Sequence, residues 1–163
     1  MSDKGSENDQ TGALTRAVST AHGALTLEQI ADALPSTGDL MALVGSSWWK
    51  CAYAARGGNW PLAAYFARRV RSLQRKLAVI RPKHRERLAA FETEQLAPVF
   101  RAIEVGDLGA FETAFAAATD GANQSHVETG YAYIRWVLPD EAPTDLDLGG
   151  PDQDRSGAGS QQP

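Results

Sequence analysis

The chain has 163 residues and a formal net charge of −4, and its length suits a single domain. No apolar run approaches the roughly 20 residues of a membrane-spanning helix, and the N-terminus lacks the apolar core of a signal peptide. The single cysteine, Cys51, excludes an internal disulfide and suits a reducing compartment. We therefore expect a cytoplasmic protein that does not associate with membranes.

Both ends of the chain have the composition of disordered segments. Residues 1–22 are rich in Ser, Asp, Gly and Thr, and residues 139–163 are rich in Pro, Asp, Gly and Gln. Such segments bury too little apolar surface to offset the entropy of ordering. We predict a disordered N-terminal tail over 1–24, a folded region over 25–138, and an acidic disordered tail over 139–163.

The first part of the folded region is predicted to be helical. Thr26 and Gln29 have the spacing of a capping box, which starts a short helix that ends before Pro35. A longer helix is predicted over 38–56, where apolar side chains such as Leu40, Leu43, Val44 and Cys51 recur at intervals of three and four. Two glycines at 57 and 58 end it.

Three further helices follow. Asn59 is placed to cap a helix whose apolar stripe continues up to Pro82. The next helix, over 83–105, contains Pro98, which should kink or split it. Asp107 is placed to cap the last helix, over 108–128. Four amphipathic helices with short loops predict an all-α protein, an antiparallel up-down-up-down four-helix bundle preceded by a short helix. The stretch 131–138 alternates loosely and predicts an extended arm that packs on the bundle.

Charge is distributed unevenly. Nine residues between Arg68 and Arg87 are basic and one is acidic, whereas six acids and one base follow Pro139. A basic strip with an acidic tail occurs in nucleic-acid-binding proteins, but no recognition motif or aromatic interleaving accompanies it here. We interpret the strip as a solvated helix face onto which the acidic tail can fold. Its exposed basic surface is formed by Arg68, Arg69, Arg71, Arg75 and Lys76.

Aromatic side chains gather near two helix ends, where they can pack in the core or form an interface. Adjacent residues on a helix point about 100° apart, so Trp48 and Trp49 cannot both face the core. Trp49 is therefore the better interface candidate. The candidate partner- or ligand-binding residues in these clusters are Trp48, Trp49, Tyr53, Asn59, Trp60, Tyr65, Tyr131, Tyr133 and Trp136.

Residues 122–126 read Ala-Asn-Gln-Ser-His, which has the length and placement of a C-x-x-C-H haem-attachment motif. Ala122 and Ser125 stand where the two cysteines would be, and His126 stands where the axial ligand would be. Because thioether bonds require thiols, we predict that covalent haem is lost and that the chain has no cofactor. His126 could still bind a metal or non-covalent haem through a ring nitrogen, and a hydrogen-bonded histidine at a helix end is the simpler interpretation.

Two stretches resemble a bacterial family of small helical proteins similar to class II c-type cytochromes. The first is residues 49–65, where a Gly-Asn-Trp turn leads into a Leu-Ala-x-Tyr helix. The second is residues 122–139, where the degenerate motif precedes a Gly-aromatic segment and a proline. The resemblance covers roughly 38–140 and implies a cytochrome c′-like bundle. The chain departs from that family in lacking the cysteines and in having a basic helix after the turn, where the family is usually acidic.

The sequence offers no catalytic triad, phosphate-binding loop or carboxylate dyad, and Cys51 falls on an apolar stripe. We predict a non-catalytic accessory subunit or interaction module that binds a larger protein, such as an oxidoreductase, or a second copy of the chain. The main alternative is a protein that binds a small molecule or non-covalent haem in the vacated haem cavity. A third is a nucleic-acid binder that uses the strip over 68–87.

Overall fold

The structure is a computed structural model that describes residues 17–150. This part of the chain is mostly helical and has one small two-stranded sheet. The chain divides into two compact units, Met1–Ser36 and Thr37–Pro163. The division falls just before a long helix, so the short helix that we predicted after Thr26 belongs to the N-terminal unit.

A β-hairpin and a short helix make up the described part of the N-terminal unit. Strands β1 (Ala17–Thr20) and β2 (Gly23–Thr26) are antiparallel, and α1 (Leu27–Asp32) follows directly. The Gln29 N–H donates to Thr26 Oγ1 at 3.1 Å, and the Thr26 N–H donates to Gln29 Oε1 at 2.9 Å. The capping box predicted from the sequence is confirmed.

The hairpin corrects our expectation of a disordered tail over 1–24. Val18 and Thr20 are β-branched and favour extended backbone, and Thr20 Oγ1 donates to the Gly23 carbonyl at 2.7 Å across the turn. Gly23 has a φ of 129°, which glycine adopts at little cost. These local features order residues 17–24 despite their polar composition. Residues 1–16 lie outside the described part of the chain.

Two long helices, α2 (Thr37–Arg56) and α3 (Trp60–Ile80), begin the larger unit and pack against each other. Asn59 caps α3 as predicted, since the Leu62 N–H donates to Asn59 Oδ1 at 3.2 Å. Small side chains dominate the buried contact and allow the two helices to approach closely. They are Cys51, Ala52, Ala55, Ala63 and Ala67.

The third predicted helix is divided into several pieces. A 3₁₀ turn (Pro82–His84) and α4 (Arg85–Phe91) lead into a π-helical segment, Glu92–Leu96, and then into α5 (Ala97–Val105). Pro98 lacks an N–H, and its ring would clash with the carbonyl four residues earlier, which lies in the π segment. The predicted break near Pro98 is therefore confirmed.

The last helix is α6 (Leu108–Glu128). Gly106, with a φ of 69°, turns the chain out of α5. Asp107 then caps α6 by accepting the Ala110 N–H on Oδ1 at 2.9 Å. The face of α6 that we predicted to be apolar contributes Phe111 and Phe115 to the core.

The larger cluster of the hydrophobic core lies between α2, α3, α5 and α6, and a smaller one is formed by Val44, Val70 and Leu96. The indole of Trp48 stacks on the Phe115 ring with centroids 4.2 Å apart, and the rings of Trp60 and Phe111 meet edge to face at 6.3 Å. Leu43 corrects the predicted apolar face of α2, because it is 44% exposed and lies on the outer side of the helix.

The chain after α6 continues through residues 131–150 without another helix, and it packs on the helices of the larger unit. Leu148 is buried in the core. The Gly150 N–H donates to the Gly57 carbonyl at 2.9 Å, within an isolated bridge that pairs Gly58 with Gly149. Residues 139–150, which we expected to be disordered, are therefore held in place by an apolar anchor and by backbone hydrogen bonds. Residues 151–163 lie outside the described part of the chain.

Candidate functional site

The space between the helices contains a cavity of about 40 Å³, which we call the inner cavity. A cavity of this size has room for a few water molecules at most, whereas sites for small organic ligands measure roughly 300–1,000 Å³. Side chains of α2, α3, the π-helical region and α6 surround it, and Trp136 completes its wall. The lining side chains include Val44, Gly45, Trp48, Val70, Gln74, Leu96, Thr119, Ala122 and Trp136.

The indole ring of Trp136 packs closely against α2 at Gly45. A Cβ atom built on Gly45 would lie 1.5 Å from the indole ring, so only glycine leaves space for Trp136 at this position. The side chain of Asn123 holds the backbone of the same residue in place. Its Nδ2 donates to the Trp136 carbonyl at 2.9 Å, and its Oδ1 accepts the Trp136 N–H at 2.7 Å. The extended arm is thus fixed between α2 and α6.

The degenerate haem motif lies in the last turns of α6, where it anchors this arm. Ala122, at the first cysteine position, lines the inner cavity. Asn123 binds Trp136, and His126 Nδ1 lies 3.1 Å from the Ile134 carbonyl. His126 is not among the side chains that line the inner cavity. Of the residues that we weighed as remnants of a haem site, His126 contacts the arm at Ile134, and Ala122 shares the cavity wall with Trp136.

Most of the candidate aromatic residues make contacts within the larger unit. Trp48 Nε1 donates to Thr119 Oγ1 at 2.9 Å, and the Tyr53 hydroxyl donates to the Pro139 carbonyl at 2.6 Å. Trp49, our leading interface candidate, is half-buried, and its Nε1 is buried without a hydrogen-bond partner among the described residues. Three tyrosines from the candidate set remain exposed: Tyr65, Tyr131 and Tyr133.

A larger and more open concavity of about 440 Å³, which we call the outer groove, runs along the other side of α2 and α3. Its floor is apolar and its edges carry two cations and several hydroxyl groups. This amphipathic lining suits a ligand that has both negative charge and apolar surface. The lining residues are Leu43, Ser46, Ser47, Lys50, Leu62, Tyr65, Phe66, Arg69 and Leu146.

Sequence analysis named Tyr65 and Arg69 but missed most of the groove. Leu43, Ser47 and Lys50 recur at i, i+4 and i+7 on α2, which is a helix-face spacing that the sequence does show. Leu146 comes from a segment that we expected to be disordered, so no pattern in α2 or α3 alone could have revealed this wall of the groove.

The residues of the strip over 68–87 differ in how much of their charge remains unpaired. Arg75 forms a bidentate ion pair with Glu92, and the guanidinium of Arg71 lies 4.5 Å from the centre of the Phe100 ring. The Arg75 guanidinium holds the pKa of Glu92 below its ordinary value. Arg68, Arg69 and Lys76 are exposed and form no ion pair within residues 17–150. Unpaired positive charge thus remains on α3, where Arg69 lines the outer groove.

Cys51 has the environment of a structural residue. It is fully buried, and its Sγ lies 3.4 Å from the Ala63 carbonyl. Burial raises the pKa of its thiol to about 12, so the thiolate, which is the nucleophilic form, is scarce at neutral pH.

No family model, curated protein or solved structure matches this chain. The resemblance to class II c-type cytochromes therefore stays a prediction. Among residues 17–150, no helix combines the length and apolarity needed to cross a membrane. The same residues contain no group of three or more His, Cys, Asp or Glu side chains arranged to hold a metal ion.

Proposed function

We propose that this chain is a non-catalytic interaction module that binds another polypeptide, either a larger protein subunit or a second copy of itself. We further propose that α2, α3, the broken pair α4–α5, and α6 form an up-down-up-down bundle derived from a cytochrome c′-like protein that has lost covalent haem. A cytoplasmic location is part of the same proposal. The outer groove is the proposed contact surface.

The observation that carries this proposal is the contrast in size between the two concavities. The inner cavity measures about 40 Å³ and the outer groove about 440 Å³. Trp136 occupies space beside Gly45 that a ligand between the helices would need. An open groove that combines an apolar floor with two cations, of which Arg69 has no ion-pair partner among residues 17–150, is typical of a surface that recognises another chain.

The two alternatives receive less support from the same geometry. Binding of haem or a small molecule between the helices would require Trp136 and the arm to leave. Nucleic-acid binding by the basic strip is weakened because Arg75 is paired with Glu92 and Arg71 rests on Phe100. Five exposed cations of the strip form no ion pair among residues 17–150, and without a recognition motif they would give only salt-dependent, non-specific attraction to phosphates. They are Arg68, Arg69, Lys76, Lys83 and Arg85.

Site-specific photo-crosslinking tests the proposal. A photoreactive phenylalanine analogue is placed at Tyr65, which is 51% exposed in the outer groove, and separately at Ala117, which is exposed on α6. In the native host, we expect an adduct with a polypeptide from position 65 and little from position 117. Equal yields at both positions, or none at position 65, would contradict the proposal.

Titration with haemin distinguishes the proposed function from the main alternative, which is binding of non-covalent haem between the helices. We expect no shifted Soret band at micromolar protein, because the inner cavity is too small for a porphyrin. A saturable, stoichiometric Soret shift that becomes stronger in a Trp136→Ala variant with intact helical content would instead support a haem site that the arm closes.

A further inference from the structure

Residues 139–150, which we call the strap, cross α2 beside the outer groove and are held firmly at both ends. At the first end, the Pro139 carbonyl accepts the Tyr53 hydroxyl at 2.6 Å. At the second end, Leu148 is buried, and the Gly149 carbonyl accepts Asn59 Nδ2 at 2.7 Å. The strap is therefore tied to the α2–α3 junction at two points.

The middle of the strap is held much more loosely. Its side chains from Asp140 to Asp147 are mostly exposed. Within this stretch, one ion pair reaches α2, between Asp145 and Lys50 Nζ. The next residue, Leu146, forms part of the groove wall while remaining 42% exposed. An ion pair whose carboxylate is exposed to solvent contributes little to stability, so this middle stretch can open while its two ends stay anchored.

The Asp145–Leu146 pair shows which chemistry the outer groove accepts. The carboxylate meets Lys50, and the leucine lies along an apolar floor that includes Leu62 and Phe66. The second cation of the groove, Arg69, has no ion-pair partner among residues 17–150. The strap thus forms an ion pair with Lys50 and leaves Arg69 available to a second acidic group.

We propose that the outer groove binds an extended acidic segment of a partner protein that carries an aspartate or glutamate followed by leucine, and that Asp145 and Leu146 occupy part of this groove until the partner displaces them. This inference rests on the proposed interaction function and specifies its partner. The partner's carboxylates pair with Lys50 and Arg69, and its leucine replaces Leu146 on the apolar floor.

The dimensions of the basic face fit an extended segment. Tyr65, Arg69 and Lys76 lie on one exposed side of α3, since they are separated by whole helical turns. Eleven residues of helix span about 16 Å, which matches roughly five residues of extended chain at about 3.3 Å each. A polypeptide of that length can place two acidic groups and one leucine along this side of α3, where Tyr65 and Arg69 line the groove.

The test uses the full chain and a fluorescent peptide with the sequence of residues 140–148, Asp-Glu-Ala-Pro-Thr-Asp-Leu-Asp-Leu. Opening the strap with the double variant Asp145→Asn/Leu146→Ser should increase peptide affinity about tenfold in fluorescence anisotropy, because the competing internal segment is removed. The matched control Asp140→Asn/Val137→Ser makes the same change of charge and polarity at exposed residues outside the groove, and should leave affinity as in the wild type.

The direction of the change in peptide affinity in Lys50→Gln decides whether the strap and the peptide compete. This variant breaks the same ion pair as Asp145→Asn, yet it also removes the groove cation that the peptide needs. Peptide affinity should therefore fall, whereas in Asp145→Asn it should rise. If the two single variants change affinity in the same direction, the competition between strap and peptide is disproved.

Arg69→Gln provides a variant whose folding is not in question, because Arg69 is exposed and the strap's ion pair stays intact. It should weaken peptide binding about fivefold, whereas Arg68→Gln, a neighbour that does not line the groove, should change it less than twofold. Equal losses in these two variants, or equally effective competition by duplex DNA, would indicate non-specific attraction and overturn the inference.

The outcome is separable from that of the proposed function. An adduct at Tyr65 with no binding of the acidic peptide means that the module has a partner of different chemistry, and the inference fails alone. No adduct and no peptide binding means that both fail.

Discussion

The inner cavity and the outer groove are built by opposite faces of the same two helices, and the chain after α6 reaches both. Trp136 closes the inner cavity by filling the space beside Gly45, while Leu146 forms one wall of the groove and leaves it open. The inner closure rests on the Trp136 ring packed at Gly45 and on two hydrogen bonds between the Asn123 side chain and the Trp136 backbone. The outer contact rests on one exposed ion pair and a half-exposed leucine. The chain after α6 therefore has a structural contact at Trp136 and a weaker, displaceable contact at Asp145 and Leu146.

The largest expected effect on stability comes from removing the Trp136 ring from the wall of the inner cavity. Trp136→Ala should destabilise the larger unit by about 3 kcal/mol, because it removes a large ring packed between two helices. Urea unfolding followed by circular dichroism measures the change. Tyr133→Ala is the control, since Tyr133 is 80% exposed, and it should alter stability by about 0.5 kcal/mol or less. Equal losses in both variants would show that Trp136 has no special structural role.

Gly45→Ala should destabilise the protein by about 2 kcal/mol, because the new methyl group overlaps the indole and forces the arm outward. In a Trp136→Ala background the same substitution should instead stabilise α2 by about 0.5 kcal/mol, the usual advantage of alanine within a helix. The double-mutant cycle measures this reversal of sign. Additive effects would mean that the two residues do not meet.

Removal of the two hydrogen bonds between Asn123 and the Trp136 backbone should have a smaller effect on stability. Asn123→Ala leaves the Trp136 N–H and carbonyl without their side-chain partner, and should cost about 1–2 kcal/mol of unfolding free energy. Gln124→Ala, at the exposed neighbouring position, is the control. Faster hydrogen exchange of the Trp136 amide in Asn123→Ala, with helical amides unchanged, would locate the effect in the arm. A change confined to the helices would refute this assignment.

The smallest expected effect concerns charge on the outer surface, where Arg56 forms a bidentate ion pair with Glu112. The hydrogen bond from Arg56 lowers the pKa of the Glu112 carboxyl in the folded state. A lowered folded pKa gives stability that is present above the unfolded value, near about 4.3, and is lost as the pH falls through the folded value. The stability difference between wild type and Glu112→Gln should therefore be modest at pH 7 and vanish at low pH. Glu104→Gln is the control, since Glu104 is exposed and forms no ion pair among residues 17–150.

The sequence predicted the helices well, because their ends carry local signals. Thr26, Asn59 and Asp107 cap the helices that follow them, and Pro98 lies beside the break in the third segment. The hairpin escaped prediction because its order depends on a turn geometry at Gly23 within a polar stretch. Composition alone does not reveal such a turn.

The candidate site was predicted only in part. A helical wheel correctly places Trp48 and Trp49 on different sides of α2, but it gives no information about which other segments cover a side chain. The Nε1 atom of Trp49 is buried, and the half-buried Trp136 packs against α2 because Gly45 leaves space for it. The outer groove depends on Lys50, Arg69 and Leu146, which come from three separate segments. Their proximity is a tertiary property that no local pattern contains.

The place of Trp136 and Leu148 in the structure also constrains how the protein is made. The core between the helices is finished by two side chains that are translated after α6 is complete. A nascent chain whose helices have all left the ribosome still has an open gap at Gly45 and lacks the Leu148 anchor. Because domains generally fold as units, the final packing step must wait for this late segment. We expect a chain that ends between residues 130 and 136 to form its helices without completing their packing. Such a truncated product should be cleaved by proteases more readily than the full chain.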